Sequence, residues 1–281
     1  ATYDGNQGQR FRYNDLNSGQ QSSLDSNATT AANMVNYLRG DDSNELRNGG
    51  SFRDRIFKYP DQTFRSSKLG DIVHSSPVFQ AYINETTGAE YGLIFVGGND
   101  GMLHAFDADL GYERFAYVPN LVFDNLKHLA DPAYTHKYYV DVTPYVKNAG
   151  GTALLVGGLG KGGKGYYCLD VSDPSSIVFE SDVANMVQWE FPNSSTVNAD
   201  VLDVGYSFSR AFIAKTNYSG YPWVVIFGNG YNSPNEKAVL FILDAFTGDV
   251  VKKIDTGVGG GGICNGLSTP VIIDVDSNQT A

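Results

Sequence analysis

The stretch YGLIFVGGNDGMLHAFDADLGYERFAYV, residues 91–118, decides the fold class. It reads as a hydrophobic strand ending in glycine, a Gly/Asn turn, a second strand ending in Asp107, another turn and a third strand. Two later stretches repeat the pattern: GTALLVGGLGKGGKGYYCLDVSDPSSIVFES (151–181) and YPWVVIFGNGYNSPNEKAVLFILDAFTGDVVKKID (221–255). Their second strands end at Phe106-Asp107-Ala108, Leu169-Asp170-Val171 and Leu243-Asp244-Ala245, 63 and 74 residues apart. A further strand precedes each unit, at SSPVFQAYI (75–83), HKYYVDVTPYV (136–146) and SRAFIAKT (209–216), and STPVIIDVD (268–276) opens a fourth unit. One four-stranded sheet per repeat predicts an all-β chain of β-propeller architecture, whose radial packing shelters most strand edges. Propellers typically close with ~4–8 blades. Three and a fraction are visible, so the sequence reads as part of a longer propeller. An irregular β-sandwich is the plainer alternative.

Residues 1–67 read differently, as an irregular polar segment rich in Asn, Ser, Gln and Arg. One helix-like piece stands out there, TTAANMVNYLRG (29–40). Thr29 or Thr30 is the expected cap, Ala32, Met34, Val35 and Leu38 form an apolar stripe, and Gly40 is the expected terminator. The expected organisation is therefore an N-terminal segment over 1–67 with one helix, followed by a partial propeller over 68–281.

Bulk composition excludes some functions. The 281 residues are 42% hydrophobic with 18 Tyr, 16 Phe and 2 Trp, enough for a sizeable core, and 32 glycines fit many tight turns. A net charge of −11 argues against nucleic acid, which needs a basic face, and favours an acidic surface able to hold cations. No apolar run approaches the ~18 residues of a membrane span. The opening ATYDGNQGQR lacks the basic and apolar regions of a signal peptide, which leaves secretion open.

Several motifs invite functional readings. GLGKGG (158–163) fits a dinucleotide fingerprint in spacing, but an aromatic strand, GYYCLDV, follows where a helix is required; it reads as a glycine-rich β-turn. His74, His104, His128 and His136 show no zinc spacing, and His104 is expected to pack or hydrogen-bond within its strand. Neither Cys168 nor Cys264 has a zinc or redox context, and spacing leaves their pairing open. No nucleophile–base constellation is present, so the chain is not expected to be an enzyme. Arg39-Gly40-Asp41 spells RGD, a candidate receptor-binding tripeptide. Finally, Asp274, Asp276 and Asn278 alternate after an apolar run. Such spacing turns three side-chain oxygens toward one point, as hard cations such as Ca²⁺ require, with the backbone carbonyl of Thr280 next in order. Asx-turns after a strand explain the same residues without a metal.

Strung together, VNYLRGD (35–41), LGDIVHSSPV (69–78), IFVGGNDGMLHAFDA (94–108), LLVGGLGKGGKGYYCLDVSDP (154–174), VQWEF (187–191), DVGYSFSR (203–210), VIFGNGYNS (225–233), LFILDAFTG (240–248) and GLSTPVIIDVD (266–276) resemble the C-terminal propeller of the PilY/PilC family of type IV pilus biogenesis factors and pilus-tip adhesins. The resemblance covers most of residues 35–281. It implies a modified seven-bladed propeller with a calcium loop whose occupancy influences pilus extension and retraction. It places Asp274, Asp276 and Asn278 as side-chain ligands and Thr280 as the backbone ligand; the family's last Asp would fall at residue 282, so the site is expected to be incomplete within these 281 residues. Some members carry an RGD linked to integrin adhesion, and Arg39-Gly40-Asp41 aligns with it. Implied partners are minor pilins, pilus-tip components and host receptors such as integrins, and the implied location is the outer surface and pilus tip of a Gram-negative bacterium. VGGNDGMLHAFDA is also similar to quinoprotein blade repeats, which makes a dehydrogenase propeller fragment the rival reading.

Overall fold

A computed structural model describes residues 1–84 and 87–273. The N-terminal region contains a two-strand ribbon, β1 (Thr2–Tyr3) with β2 (Gly8–Gln9), the helices α1 (Ser18–Leu24) and α2 (Ala28–Leu38), and a second ribbon, β3 (Ile56–Lys58) with β4 (Phe64–Ser66). Three antiparallel four-stranded sheets follow, each a meander in chain order. The first is β5 (Val78–Ile83), β6 (Glu90–Gly97), β7 (Leu103–Asp107) and β8 (Glu113–Tyr117). After a short helix, α3 (Phe123–Leu126), the second is β9 (Tyr145–Ala149), β10 (Thr152–Gly158), β11 (Tyr166–Asp170) and β12 (Val187–Phe191), with α4 (Glu180–Met186) inserted before its last strand. The third is β13 (Phe212–Lys215), β14 (Trp223–Gly228), β15 (Lys237–Asp244) and β16 (Val250–Gly259). The first strands of neighbouring sheets, β5 with β9 and β9 with β13, lie against one another, so the sheets fan out as blades of a partial β-propeller.

The middle blade shows why its strands read as continuous apolar runs. Side chains alternate across a sheet, and here both faces are covered. Leu155, Tyr167 and Leu169 pack into the core shared with the first blade, while Leu154, Val156, Tyr166 and Cys168 pack against Val225, Phe227, Phe241 and Leu243 of the third. Each such fully buried side chain contributes roughly 1.5–3 kcal/mol relative to exposure. Trp189 closes the second core. Its indole Nε1–H donates to the Ala245 carbonyl at 3.0 Å, and its ring lies so close to Gly248 that a Cβ there would sit 2.7 Å from it.

The three aligned aspartates are turn residues. Asp107 Oδ1 accepts from the N–H groups of Asp109 and Leu110, and Asp244 Oδ1 does the same for Phe246 and Thr247. Each turn closes on a glycine with positive φ, Gly111 or Gly248. Asp170 holds a related turn through Ser172.

Several expectations need correction. The cap of α2 is Asn27, whose Oδ1 accepts from Thr29 and Thr30, not either threonine. Its buried face is Ala31, Met34, Val35 and Tyr37; Ala32 and Leu38 are only partly covered. Gly40 does terminate the helix, at φ 104°, with its N–H on the Tyr37 carbonyl and that of Asp41 on Asn36. The strand expected over 136–146 is confined to its end, where β9 begins at Tyr145. The third strand expected within SSIVFES is a 3₁₀ turn leading into α4, and the sheet resumes only at β12. Residues 268–273 form no regular strand. α1, unforeseen, begins with a capping box in which Asn17 Oδ1 accepts from the Gln20 N–H and the Gln20 side chain accepts from that of Asn17.

Candidate interaction and metal sites

The end of each blade where its second strand meets its third is latched to the segment leading into the next blade. Asn99 Oδ1, in the turn after β6, accepts from the Tyr139 N–H at 3.0 Å, and the Val140 N–H donates to the Gly98 carbonyl. After β14, Asn229 Oδ1 accepts from Leu267 and Val239, both at 3.0 Å, while its amide donates to the carbonyls of Asp203 and Lys237. The lead segments add a second layer. Ser75 Oγ accepts from the Gly97 N–H at 2.9 Å and Ser209 Oγ from that of Gly228 at 3.0 Å. Ser76 N–H donates to Thr143 Oγ1 at 2.8 Å, and Arg210 N–H donates to Thr269 Oγ1 at 3.0 Å. Thr269 thus stands to the third blade as Thr143 stands to the first, and STP (268–270) occupies the position from which SSP and VTP enter their blades.

That position bears on the metal candidates. Asp274, Asp276, Asn278 and Thr280 lie outside the described residues. Their donor set, two carboxylates, an amide oxygen and a carbonyl, suits a hard oxygen-seeking cation. Among the described residues no group of three or more His, Cys, Asp and Glu is arranged to hold a metal.

The RGD tripeptide follows α2 directly. The Arg39 guanidinium donates to Glu180 Oε1 at 2.7 Å and to the Phe11 carbonyl at 3.1 Å, tying the helix end to the start of α4. Arg12 takes the other oxygen of Glu180 at 2.7 Å. Although burial opposes it, these cations hold the Glu180 carboxyl below its ordinary pKa. Asp41 is exposed, its Oδ1 accepting from the Ser43 N–H, and that backbone bond lowers its pKa. Asp41 is therefore exposed, Gly40 is partly covered with Lys68 Nζ donating to its carbonyl, and Arg39, though exposed, is engaged with its own chain.

Two buried groups carry shifted pKa values: His104, expected to pack or hydrogen-bond, and Glu190, which escaped sequence reasoning. His104 is hydrogen-bonded on both nitrogens, Nδ1 to Glu113 at 2.6 Å and Nε2 to Asp100 at 3.0 Å. Burial would lower its pKa, but the two carboxylates override that and push it up to about 10. Glu190, fully buried in β12, accepts from the Tyr117 hydroxyl at 2.5 Å and from the Asn120 N–H at 2.7 Å through Oε1. Its Oε2 has no partner, and burial pushes its pKa up to about 7. VQWEF reads as a plain strand; only a charge amid apolar neighbours hinted at this one. Both cysteines are free thiols, Cys168 buried and Cys264 exposed.

A family model described as the PilY1 beta-propeller domain matches residues 68–281. The chain belongs to the PilY1 β-propeller family. It is 37% identical to a type IV pilus biogenesis factor PilY1 homolog of Xylella fastidiosa, covering 89% of this chain and 18% of that protein. It is 35% identical to type IV pilus biogenesis factor PilY1 of Pseudomonas aeruginosa strain UCBPP-PA14, covering 90% of this chain and 21% of the relative. The chain thus spans about a fifth of the length of these curated relatives. Among solved structures, the Pseudomonas aeruginosa PilY1 C-terminal domain superposes with a TM-score of 0.53 at 37% identity, over 70% of this chain and 36% of that one. The family membership agrees with the propeller arrangement of the three blades described here.

Proposed function

We propose that this chain is part of a calcium-responsive regulator of type IV pilus assembly and retraction that also serves as a pilus-tip-associated adhesin. Membership in the PilY1 propeller family over residues 68–281 carries the reading. Its relatives are named type IV pilus biogenesis factors. That naming does not favour the dehydrogenase fragment. The proposed partners are minor pilins and other pilus-tip components, with integrin-type host receptors engaged through Arg39-Gly40-Asp41. The proposed location is the cell surface and pilus tip of a Gram-negative bacterium. No helix among the described residues is long and apolar enough to cross a membrane.

The calcium role rests on the donor set Asp274, Asp276, Asn278 and Thr280, entered from a lead segment held like those of the earlier blades. A loop of alternating carboxylates repels itself without a cation and orders around one, so occupancy biases two states of the surface that carries it. The test is to count surface pili in cells carrying Asp274→Ala, with and without calcium. The wild-type count is expected to respond to calcium and that of the variant to be insensitive. An equal response in both overturns the calcium role. Asp41→Ala is expected to reduce host-cell binding at unchanged pilus number; undiminished binding removes the adhesin role.

A further inference from the structure

Glu190 lies where three parts of the molecule meet. Its strand, β12, belongs to the second blade. Tyr117 reaches it from β8 of the first blade, and β1 of the N-terminal region packs against β12 with Thr2 and Tyr3 buried. The side chain is 1% exposed and only Oε1 has donors, so Oε2 holds either a proton or an unanswered charge. A charge there has neither water nor a partner to stabilise it.

The groups around it supply no counter-charge. Its ionisable neighbours are the phenols of Tyr117 on β8, Tyr167 on β11 and Tyr3 on β1, whose pKa values burial raises further. Backbone N–H groups of Asn120 and Leu121 complete its surroundings. The carboxylates on adjoining elements are turned elsewhere: Glu180 to Arg12 and Arg39, Asp182 to the backbone of Val178 and Phe179, and Asp4 to that of Asn6 and Gln7.

The residue that donates to Oε1 also holds the N-terminal region. Asn120 gives its N–H to Glu190 at 2.7 Å, and its Oδ1 accepts from the Gln20 amide at 2.9 Å. That amide also donates to the Tyr3 carbonyl at 2.8 Å, while Gln20 Oε1 accepts from Gln9 Nε2 at 2.6 Å and from the Asn17 N–H at 3.2 Å. Gln20 thereby ties β1, β2 and α1 into one unit resting on the junction of the first two blades. β8, β11 and β12 are each held in a four-stranded sheet. Among the described residues β1 and β2 pair with each other over two residues apiece, and a single bridge joins Thr2 to Val118. This unit is the weakest cover over the carboxyl, and local opening follows the least stable element.

We propose that Glu190 is a proton-operated latch: while it keeps its proton the β1–β2 ribbon and α1 stay docked on the blade junction, and loss of that proton releases them so that water reaches the carboxylate. Release grows as pH rises, because the closed form holds the proton more tightly than the open one. The raised pKa of about 7 places the change in the neutral range.

Hydrogen exchange of the whole chain, followed by mass spectrometry and corrected for intrinsic rates, tests the latch at about pH 5.5 and about pH 8, on either side of the transition. In the wild type, opening of residues 1–24 is expected to rise at least about tenfold with pH, as the linked titration implies, while β14 and β15 stay protected. In Glu190→Gln, which keeps the shape without the charge, that rise is expected to vanish. Gln20→Ala, which cuts the tie without touching the blades, is expected to open residues 1–24 at both pH values. The same rise in wild type and Glu190→Gln, opening of β14 and β15 in step with residues 1–24, or full protection of residues 1–24 in Gln20→Ala would each overturn the proposal.

Discussion

Glu190 is a carboxyl in an environment at odds with its charge. A carboxylate sealed among Tyr117, Tyr167 and the first-blade core prefers its proton, and the pKa of about 7 lies above the ordinary 4.5. A carboxyl whose folded pKa is raised contributes its full stability below the unfolded value and loses it as pH climbs to the folded one. Stability is therefore expected to fall between pH 4.5 and 7, by about 3 kcal/mol if this group acts alone. Glu190→Gln is expected to flatten that limb in urea titrations. A limb of the same slope in wild type and variant contradicts the assignment. His104 follows the same sign in a higher window: its raised pKa makes its contribution complete below 6.5 and lost as pH rises toward 10. The RGD tripeptide shows what a residue-level motif leaves open, for nothing in the letters says that Arg39 is already bound to Glu180, 141 positions away.

At the scale of elements, the blades were legible because both faces of each middle strand are buried and each turn is built on Asp or Gly. LLVGG, YYCLD and VLFILD carry that signal without any knowledge of the neighbours. The stretch 136–144 misled for a physical reason. Its Tyr139 and Val140 are apolar and fully buried, but their N–H groups are taken by the turn of the preceding blade rather than by a strand. Likewise SSIVFES is apolar, yet Asp182 accepts from the N–H groups of Val178 and Phe179 and turns the chain into α4, leaving both side chains exposed. The inter-blade latches were invisible as a function, although the Asn after each glycine in GGN and GNG marks them. Asn229 satisfies four backbone groups, two in lead segments (Asp203 and Leu267) and two in β15 (Lys237 and Val239). Asn229→Ala is expected to cost more than about 3 kcal/mol, since each buried group left without a partner costs roughly 1–3 kcal/mol. Ser209→Ala, which strands the Gly228 N–H and removes the Oγ–H bond to the Arg210 carbonyl, is expected to cost about 1–3 kcal/mol. Chemical denaturation of both variants checks the order; a milder effect for Asn229 would mean that the latch bears little of the load between blades.

For the whole molecule, three blades, their latches and the STP lead of the next one form one repeating plan. The family resemblance was readable because the repeat and its turn chemistry are written locally. The N-terminal region was not, because its order comes from long-range contacts such as the Gln20 amide on the Tyr3 carbonyl and Asn120, and the buried pair Arg55–Glu45 stacked on Tyr37. The proposed calcium role requires Asp274, Asp276 and Asn278 to bind one cation. Calorimetric titration of the full-length protein with calcium, wild type beside Asp274→Ala, tests it most directly. The account predicts saturable binding that weakens at least about tenfold in the variant, because a hard cation loses one of its few charged oxygens. Equal affinity in the two proteins would contradict it.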